Sequence, residues 1–184
     1  MFKINTETGV LEEAEYCHSE HHNERPADTA IDMIVIHNIS LPPGEFGTES
    51  VKQFFKGELN TFEHPYFAEI GHLRVSSHLF IRRNGEIIQF VPFNLRAWHA
   101  GVSLFQGKTD CNDFSIGIEL EGTDDLSYEP IQYEKLIQVI QVLMRVYPGI
   151  TTDRIVGHSD IAPGRKTDPG PAFDWDYLRD RLLN

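Results

Sequence analysis

The alternation of apolar and polar residues along the chain predicts several strands of one sheet. The run DMIVIH at 32–37 is β-branched and apolar, and it predicts a buried strand that ends in a histidine. The segment FSIGIELEG at 114–122 alternates apolar residues with small or charged ones, so a strand there presents Glu119 on a polar face. The segment RIVGH at 154–158 predicts another short strand that ends in a histidine.

A hairpin is predicted where two strand-like segments flank a turn-forming dipeptide. The segments SHLFIRR at 77–83 and EIIQFV at 86–91 lie on either side of Asn84 and Gly85. Asn-Gly readily supplies the two positive φ angles of a type I′ turn, so we expect a two-residue loop of that type.

Two amphipathic helices are predicted in the second half of the chain. The first is indicated by apolar residues at helical spacing, and Pro148 and Gly149 end it. Its apolar residues are Tyr133, Leu136, Ile137, Ile140, Leu143, Met144 and Tyr147. The second helix is FDWDYLRDRLL at 173–183, with its apolar residues turned inward. Between 38 and 75, only ESVKQFFKG at 49–57 has a helical pattern.

Strands and helices in this order favour an α/β fold, a single-domain mixed β-sheet flanked by helices. The chain has 184 residues, of which 40% are hydrophobic, and this is enough for one core but too little for two. We therefore expect one domain over residues 1–184. Residues 1–30 form an N-terminal extension that packs on the domain or trails from it.

The charge of the chain argues against one class of partner. Sixteen Lys and Arg against twenty-eight Asp and Glu give a formal net charge of −12, so nucleic acid is not an expected partner. The sequence contains no run of eighteen apolar residues and no basic, apolar leader, so we expect a cytoplasmic protein without a membrane partner. Cys17 and Cys111 fit the reduced thiols of that compartment, and we expect a monomer.

Three polar side chains on or at the ends of predicted strands are candidates for a catalytic site: His37, Glu119 and His158. Such side chains can converge on one crevice. Two neutral imidazoles and a carboxylate match zinc with one open position, although each histidine alone also fits a core histidine bonded to a carbonyl. The third ligand is Asp160 or Asp168; the turn-forming residues between them favour Asp168 without excluding Asp160.

Glu119 and Lys166 are candidates for proton transfer and charge stabilisation. Glu119 fits a general base that takes a proton from zinc-bound water, and the alternative is a solvated strand residue or an ion-pair partner of Arg82 or Arg83. Lys166 is near the ligand candidates in sequence and could stabilise a developing oxyanion. The alternative for Lys166 is an ordinary surface lysine.

The segments HLRVSSH and AWHAG combine aromatic surface with hydrogen-bond donors. Trp98 offers a flat apolar face, and Arg74, His78 and His99 offer polar groups, which suits a sugar-peptide substrate. A core position is the alternative for Trp98. A further histidine cluster, formed by positions 18, 21 and 22, is expected in a mobile, solvated terminus because no strand or helix is predicted there.

Five stretches of sequence between residues 34 and 175 resemble one known family, in the family's order. They are IVIHNISLPPGEFG, HPYFAEIGHLRVSSHLFIRRNGEIIQFVPF, RAWHAGVS, CNDFSIGIELEGTD and GHSDIAPGRKTDPGPAFDW. On these motifs the chain resembles the AmpD-type 1,6-anhydro-N-acetylmuramyl-L-alanine amidases, within the wider zinc-dependent peptidoglycan amidases.

The resemblance implies a mixed sheet flanked by helices and a set of site residues. Zinc is expected on the residues that match the family's ligands, His37, His158 and Asp168, which decides the open choice of the third ligand. Glu119 matches the general base, and Lys166 matches the group that stabilises the tetrahedral intermediate.

We assign substrate binding to five residues in or near these motifs: Asn38, Arg74, Trp98, His99 and Lys108. Family members often carry an arginine immediately before CNDF, whereas this chain has Asp110 there and only Lys108 nearby. Because the whole chain is acidic, we expect a local basic patch to attract a substrate carboxylate, over less than a Debye length of about 8 Å. The expected patch consists of Arg74, Lys108, Arg165 and Lys166.

The activity that the resemblance implies is zinc-dependent hydrolysis of the amide between the lactyl group of (1,6-anhydro-)N-acetylmuramic acid and L-alanine. The expected substrates are cytoplasmic muropeptides returned during peptidoglycan recycling. One rival is an exported or phage-type autolysin that acts on intact murein; it normally needs a secretion route or a wall-binding module. The other is a non-catalytic peptidoglycan-binding module, against which the presence of Glu119 and Lys166 argues.

Overall fold

The structure is a computed structural model that describes residues 2–183. Its strands are β1 (Ile4–Asn5), β2 (Val10–Leu11), β3 (Glu15–Tyr16), β4 (His22–Asn23), β5 (Met33–Ile39), β6 (Leu79–Ile81), β7 (Ile87–Gln89), β8 (Arg96–Ala97), β9 (Leu104–Phe105), β10 (Lys108–Thr109), β11 (Ser115–Glu121) and β12 (Ile155–Gly157). Its α-helices are α1 (Ser50–Lys56), α2 (Pro65–Ile70), α3 (Pro130–Val146), α4 (His158–Ile161) and α5 (Trp175–Leu183), with 3₁₀ turns at Cys111–Asp113 and Thr152–Arg154.

Six strands form one mixed sheet in the order β12-β5-β11-β6-β7-β3. The strands β12, β5, β11 and β6 are parallel to one another, β7 is antiparallel to β6, and β3 joins β7 in parallel at the edge. The predicted mixed sheet flanked by helices is confirmed. The register of the central pair places Glu119 of β11 beside His37 of β5, so both side chains leave the sheet on the same side.

The two faces of β5 belong to different clusters. Ile34 and Ile36 join the main core with α3 and α5, where each buried isoleucine contributes on the order of 1.5–3 kcal/mol. Met33 and Val35 belong to a smaller cluster on the opposite face. His37 follows them in the period of two. The site therefore lies on the face of the sheet opposite α3, while the main core supports it from behind.

The strand β11 is buried along its whole length, including Glu119. The expected polar face is present, but it does not face solvent: the ring of His99 covers Gly117 and contacts Ser115, and Glu121 accepts from the backbone of Gly47 and Arg83. A Cβ atom at Gly117 would lie only 2.4 Å from Cγ of His99. The alternative of a solvated Glu119 is not realised, because alternation indicates the side of the sheet and not what covers that side.

The hairpin of β6 and β7 is confirmed, but its turn is not of type I′. Gly85 has a φ of 84°, whereas Asn84 is not among the residues with positive φ in the described chain. Gly85 N–H donates to the Arg82 carbonyl at 2.9 Å, and Arg82 N–H donates to the Glu86 carbonyl at 2.9 Å. This is a type I turn followed by a left-handed glycine. The Asn84 side chain accepts from Glu86 N–H at 2.9 Å, a local bond that suits this turn.

Both predicted C-terminal helices are confirmed as α3 and α5, and the segment 49–57 contains α1. Helix α3 begins earlier than its apolar pattern, because the Gln132 side chain accepts from Glu129 N–H at its first turn. Helix α2 was not predicted. It begins at Pro65, and Nδ1 of His64 accepts from Tyr66 N–H.

The N-terminal segment packs on the rest of the chain. Strand β3 extends the main sheet, and β4 pairs with β8. The predicted solvated histidine cluster was wrong for His21, which is buried, stacks on Trp98 with ring centres 6.1 Å apart and contacts the Val75 carbonyl through Nδ1. Arg25 is half-buried and donates to four backbone carbonyls of neighbouring segments. Strands of two residues carry no readable period, so the sequence did not reveal this packing.

The described residues contain no helix that is both long and apolar enough to cross a membrane. Cys17 is half-buried and Cys111 is buried, and both are free thiols, as predicted.

Candidate metal centre and catalytic groove

Two imidazoles and a carboxylate converge beside the carboxyl ends of β5 and β12. His37 lies within β5, His158 is the first residue of α4, and Asp168 lies in the loop that follows α4. Nδ1 of His37 and Nδ1 of His158 are 2.9 Å apart, and each is 3.0 Å from Oδ2 of Asp168. Within the described chain, these three side chains form a group that could hold a metal ion.

The outer nitrogens of both imidazoles are bonded inside the protein. Nε2 of His158 lies 3.0 Å from the Ala100 carbonyl, which can only accept, so Nε2 carries the proton and Nδ1 is bare. Nε2 of His37 lies 2.9 Å from Nδ1 of His99. Burial lowers the pKa of His37 to about 4, so its imidazole is neutral near pH 7.

The donor set fits a divalent cation, and zinc in particular. Bare nitrogens and a carboxylate oxygen that face one another repel, and a cation between them removes the repulsion. Zinc takes neutral imidazole and carboxylate at about 2.0–2.2 Å, which requires ligand atoms about 3.3 Å apart in a tetrahedral site. The separations of 2.9–3.0 Å are within a small outward movement of that value.

Of the two candidate aspartates, only Asp168 reaches the imidazoles. Asp160 instead accepts from Gly157 N–H at 2.7 Å and stabilises the start of α4. The loop that carries Asp168 is held at the next residue, where Asn38 Nδ2 and the Tyr128 hydroxyl donate to the Pro169 carbonyl at 3.1 and 2.7 Å. The direction of the Asp168 carboxylate is therefore supported from the sheet.

Glu119 is the buried acid of the site. Its side chain is 8% exposed, and its Oε2 atom is buried without a hydrogen-bond partner in the described chain. Burial raises the pKa of Glu119 well above its usual value; the charge of Asp168 adds to this and Lys166 opposes it. The ion-pair alternative is not realised, since Arg82 pairs with Glu49 and Glu86, and Arg83 pairs with Glu129.

Lys166 is the cation of the site. Its side chain is exposed and lines the same groove as Glu119, and its backbone N–H donates to the Ala162 carbonyl at 3.0 Å. Arg165 turns away and donates to the carbonyls of Ala100 and Val102 at 2.7 and 2.6 Å. Arg165 therefore supports the loop that contains Ala100 and Val102, whereas its neighbour Lys166 faces the groove.

The metal-site candidates open onto a groove of about 390 Å³. Its polar end contains the two histidines, Asp168, Glu119 and Lys166. Its other wall is apolar, formed by α1, α2 and the loops beside them; the residues there are Leu41, Phe54, Phe55, Tyr66, Ile70 and Leu73. A groove with one reactive polar end and one apolar wall suits an elongated ligand with mixed chemistry.

Three of the five predicted substrate-binding residues line the groove: Asn38, Trp98 and His99. Their side-chain nitrogen atoms already have partners in the protein. Asn38 Nδ2 donates to Asp124 as well as to Pro169, Trp98 Nε1 donates to Asn23 at 2.6 Å, and His99 uses both ring nitrogens. Their role toward substrate stays a prediction.

The structure places Arg74 and Lys108 outside the lining of this groove. Arg74 is exposed and lies 3.5 Å from the His21 ring. Lys108 lies on a separate hairpin, where Nζ is 3.9 Å from Asp32 and 4.8 Å from the ring centre of Phe114. The β9–β10 hairpin directs Lys108 toward Asp32, and the substrate-binding roles of Arg74 and Lys108, like the expected four-residue basic patch, stay predictions.

The Amidase_2 family, described as N-acetylmuramoyl-L-alanine amidase, matches residues 27–171 of the chain. The chain belongs to this amidase family. The match includes every residue of the candidate metal centre, as well as Glu119 and Lys166.

Other amidases are similar to the chain over most of its length. The 1,6-anhydro-N-acetylmuramyl-L-alanine amidase AmpD of Enterobacter cloacae is 58% identical over 176 residues, which cover 96% of this chain and 94% of that protein. The crystal structure of a Se-Met AmpD derivative has a TM-score of 0.93 at 54% identity, covering 95% of this chain and 97% of its own. The amidase AmiD from Escherichia coli, in complex with the substrate anhydro-N-acetylmuramic acid-L-Ala-D-gamma-Glu-L-Lys, has a TM-score of 0.60 at 31% identity and is covered over 60% of its length.

Several residues that support the site were not singled out from the sequence. Ser115 and Asn112 lie behind His99, and Tyr128 lies behind Asp168. Ser115 could have been noticed in the sequence, because it is a small polar residue within an otherwise apolar strand segment. The sequence carried no comparable signal for Tyr128, whose partner is 41 residues away.

Proposed function

We propose that the chain hydrolyses the amide between the lactyl group of (1,6-anhydro-)N-acetylmuramic acid and L-alanine in muropeptides. The observation that carries this proposal is the juxtaposition of a three-residue metal site with Glu119, whose buried Oε2 has no hydrogen-bond partner in the described residues. The activities named for AmpD and AmiD support the choice of substrate.

His37, His158 and Asp168 would hold the metal ion, and their chemistry suits zinc. When bound, zinc supplies Lewis acidity at the carbonyl oxygen of the scissile amide.

Glu119 performs the proton transfers in this proposal. Its carboxylate takes a proton from the water that attacks the carbonyl carbon, and it later gives that proton to the nitrogen of L-alanine as the C–N bond breaks. Burial raises its pKa above that of an ordinary glutamate, which makes the ionised group a stronger base and its acid a good proton donor in the second step, and the positive charge of a bound metal would favour the ionised form that begins the reaction.

Lys166 places a positive charge beside the groove, where the carbonyl oxygen becomes negative in the transition state. Loss of one such stabilising group costs about 2.7–4 kcal/mol in comparable oxyanion sites. The apolar wall formed by α1 and α2 would bind the less polar surface of the sugar.

We further propose that the enzyme acts as a cytoplasmic monomer in peptidoglycan recycling, on small anhydro-muropeptides. The test is mass spectrometry of products after incubation with purified anhydro-muropeptide and, separately, with intact murein sacculi. We expect a free peptide with an N-terminal L-alanine from the muropeptide and much slower release from sacculi.

The controls for this assay are the chelator-treated protein and the Glu119→Gln variant, which should both be inactive. Faster release from sacculi than from muropeptide would favour an autolysin. Muropeptide binding without any product, by protein loaded with zinc, would favour a non-catalytic binding module.

A further inference from the structure

Consecutive residues of one loop contact the outer nitrogens of both histidines in the metal site. Nε2 of His37 lies 2.9 Å from the ring of His99, and Nε2 of His158 lies 3.0 Å from the carbonyl of Ala100. The loop that begins after β8 therefore contacts both imidazoles on the side away from the metal position.

The contact to His99 continues into a chain of hydrogen bonds whose direction is determined at its far end. The Ser115 hydroxyl donates to the Cys111 carbonyl at 2.5 Å, and a carbonyl can only accept. Ser115 Oγ therefore accepts from Nε2–H of His99, which is 3.2 Å away. The neutral His99 ring then has a bare Nδ1, and this atom accepts from Nε2–H of His37. The chain of bonds leaves Nδ1 of His37 without a proton and available to a metal.

The packing around His99 restricts its ring to one position. Its side chain is buried, and its ring meets that of His37 edge to face, with centres 5.0 Å apart. The ring lies on Gly117 of β11, where a Cβ atom would overlap it.

One side chain fixes the backbone of this loop. Oδ1 of Asn112 accepts from His99 N–H at 3.0 Å and from Ala100 N–H at 2.8 Å. Asn112 thus holds both the residue that contacts His37 and the residue that contacts His158.

We propose that His99 is a positioning residue of the metal centre, which holds His37 in the tautomer with a bare Nδ1, and is not a substrate-binding residue. This inference rests on the proposed function, since it assigns His99 a role toward the metal of that site. Outer partners of this kind typically contribute 10- to 100-fold to metal affinity.

The test compares two variants of similar shape. In His99→Asn, the Oδ1 atom can replace Nδ1 as the acceptor for His37, whereas His99→Leu offers no acceptor. We expect the zinc dissociation constant, measured by competition with a chromophoric chelator, to rise 10- to 100-fold in His99→Leu and to stay near the wild-type value in His99→Asn. Ser115→Ala, which removes the far end of the chain of bonds, should give a smaller loss in the same direction.

A second measurement reads the tautomer directly and needs no variant. In metal-free protein with ¹⁵N-labelled histidines, at a pH where the rings are neutral, His37 should carry its proton on Nε2. A proton on Nδ1 would overturn the inference, and so would unchanged zinc affinity in a folded His99→Leu variant.

If His99 instead bound substrate, its replacement by Leu would raise KM and leave zinc affinity unchanged. The variant Trp98→Leu, beside His99 in the groove, is the reference for that behaviour. Zinc binding and hydrolysis by the wild-type protein test the proposed function separately, so the two can fail independently.

Discussion

Glu119 is a carboxyl group in a place that favours its neutral form. It is almost fully buried, it lies near the charge of Asp168, and its Oε2 atom lacks a partner in the described part of the chain. Its raised pKa therefore has a consequence for folding. An unfolded chain ionises this group near pH 4.3, while the folded metal-free protein retains the proton to higher pH. Between these two values the unfolded state binds fewer protons, so stability falls as pH rises.

Glu119→Gln should therefore stabilise the metal-free protein, and it should also slow hydrolysis strongly because the amide cannot accept the water proton. We expect hydrolysis to fall by about 100-fold or more, since a general base contributes that much. In urea denaturation, the variant should unfold at a higher midpoint than the wild type at pH 7.5, and the difference should vanish near pH 4.

Glu121→Gln is the matched control, two residues away on the same strand. Glu121 is buried too, but its two oxygens accept from Gly47 N–H at 2.6 Å and Arg83 N–H at 3.0 Å. Loss of a charged acceptor there should destabilise the protein. A lower midpoint for Glu119→Gln at pH 7.5 would contradict the argument from burial.

Asp168 and Asp160 provide a second comparison at the scale of single residues. Asp168→Ala should weaken zinc binding by more than about 100-fold, beyond the loss expected for an outer partner, because it removes a ligand. Asp160→Ala should retain zinc and lose only the stability of a helix start, about 1 kcal/mol. Chelator competition and thermal unfolding measure these two effects. The opposite ranking in zinc affinity would return the ligand role to Asp160.

At the scale of elements, β11 brings the parts of the site together. Its register with β5 sets Glu119 beside His37, and Gly117 leaves room for the ring of His99. The strand thus provides Glu119, and the absence of a side chain at Gly117 leaves the space that the ring of His99 occupies. A glycine in a strand interior weakens the strand, and here it allows a close approach.

Gly117→Ala should reproduce the metal-binding defect of His99→Leu. The new methyl group would overlap the imidazole, so His99 must leave its place between His37 and Ser115. We expect zinc affinity to fall about 10-fold or more, with retention of the overall fold by circular dichroism. Full zinc affinity in Gly117→Ala would indicate that the position of His99 is not needed.

At the scale of the whole molecule, the metal centre joins segments that are distant in sequence. His37 and Asp168 are 131 residues apart, and β5, α4 and the loop after α4 each carry one ligand candidate. A metal that binds the folded chain and not the unfolded one stabilises the fold by mass action. Folding and metal loading should therefore be coupled.

Removal of the metal should lower the melting temperature. Zinc at about 100 times its dissociation constant adds about 2.7 kcal/mol, which corresponds to roughly 5–10 °C for a chain of this size. Calorimetry of zinc-loaded and chelator-treated protein measures the shift. In Asp168→Ala the shift should be much smaller, and an equal shift there would mean that the ion binds elsewhere.

The helices and sheet strands with a clear apolar period were predictable, because burial of one face leaves that period in the sequence. This holds for α3, α5, β5 and β11. Strands β1 to β4 and helix α2 are short, and contacts with distant parts of the chain hold them in place, so their sequences carry no such period. The covering of the polar face of β11 and the position of Lys108 beside Asp32 could not be read from the sequence for the same reason: both depend on which loop packs there.

The sequence by itself determined which residue types are available and on which side of their strands they lie. Alternation along each strand fixes the side of His37 and of Glu119 within its own strand, and the register of β5 with β11 in the tertiary structure puts them on the same face. The residue pattern left Asp160 and Asp168 open and the family resemblance selected Asp168; only the tertiary structure showed that Asp168 reaches both imidazoles while Asp160 stabilises a helix start, and that His99 bonds to His37. These choices depend on distances across loops that cross the sheet, and a hydrogen bond is made or lost within less than an ångström, which no local pattern of residues encodes.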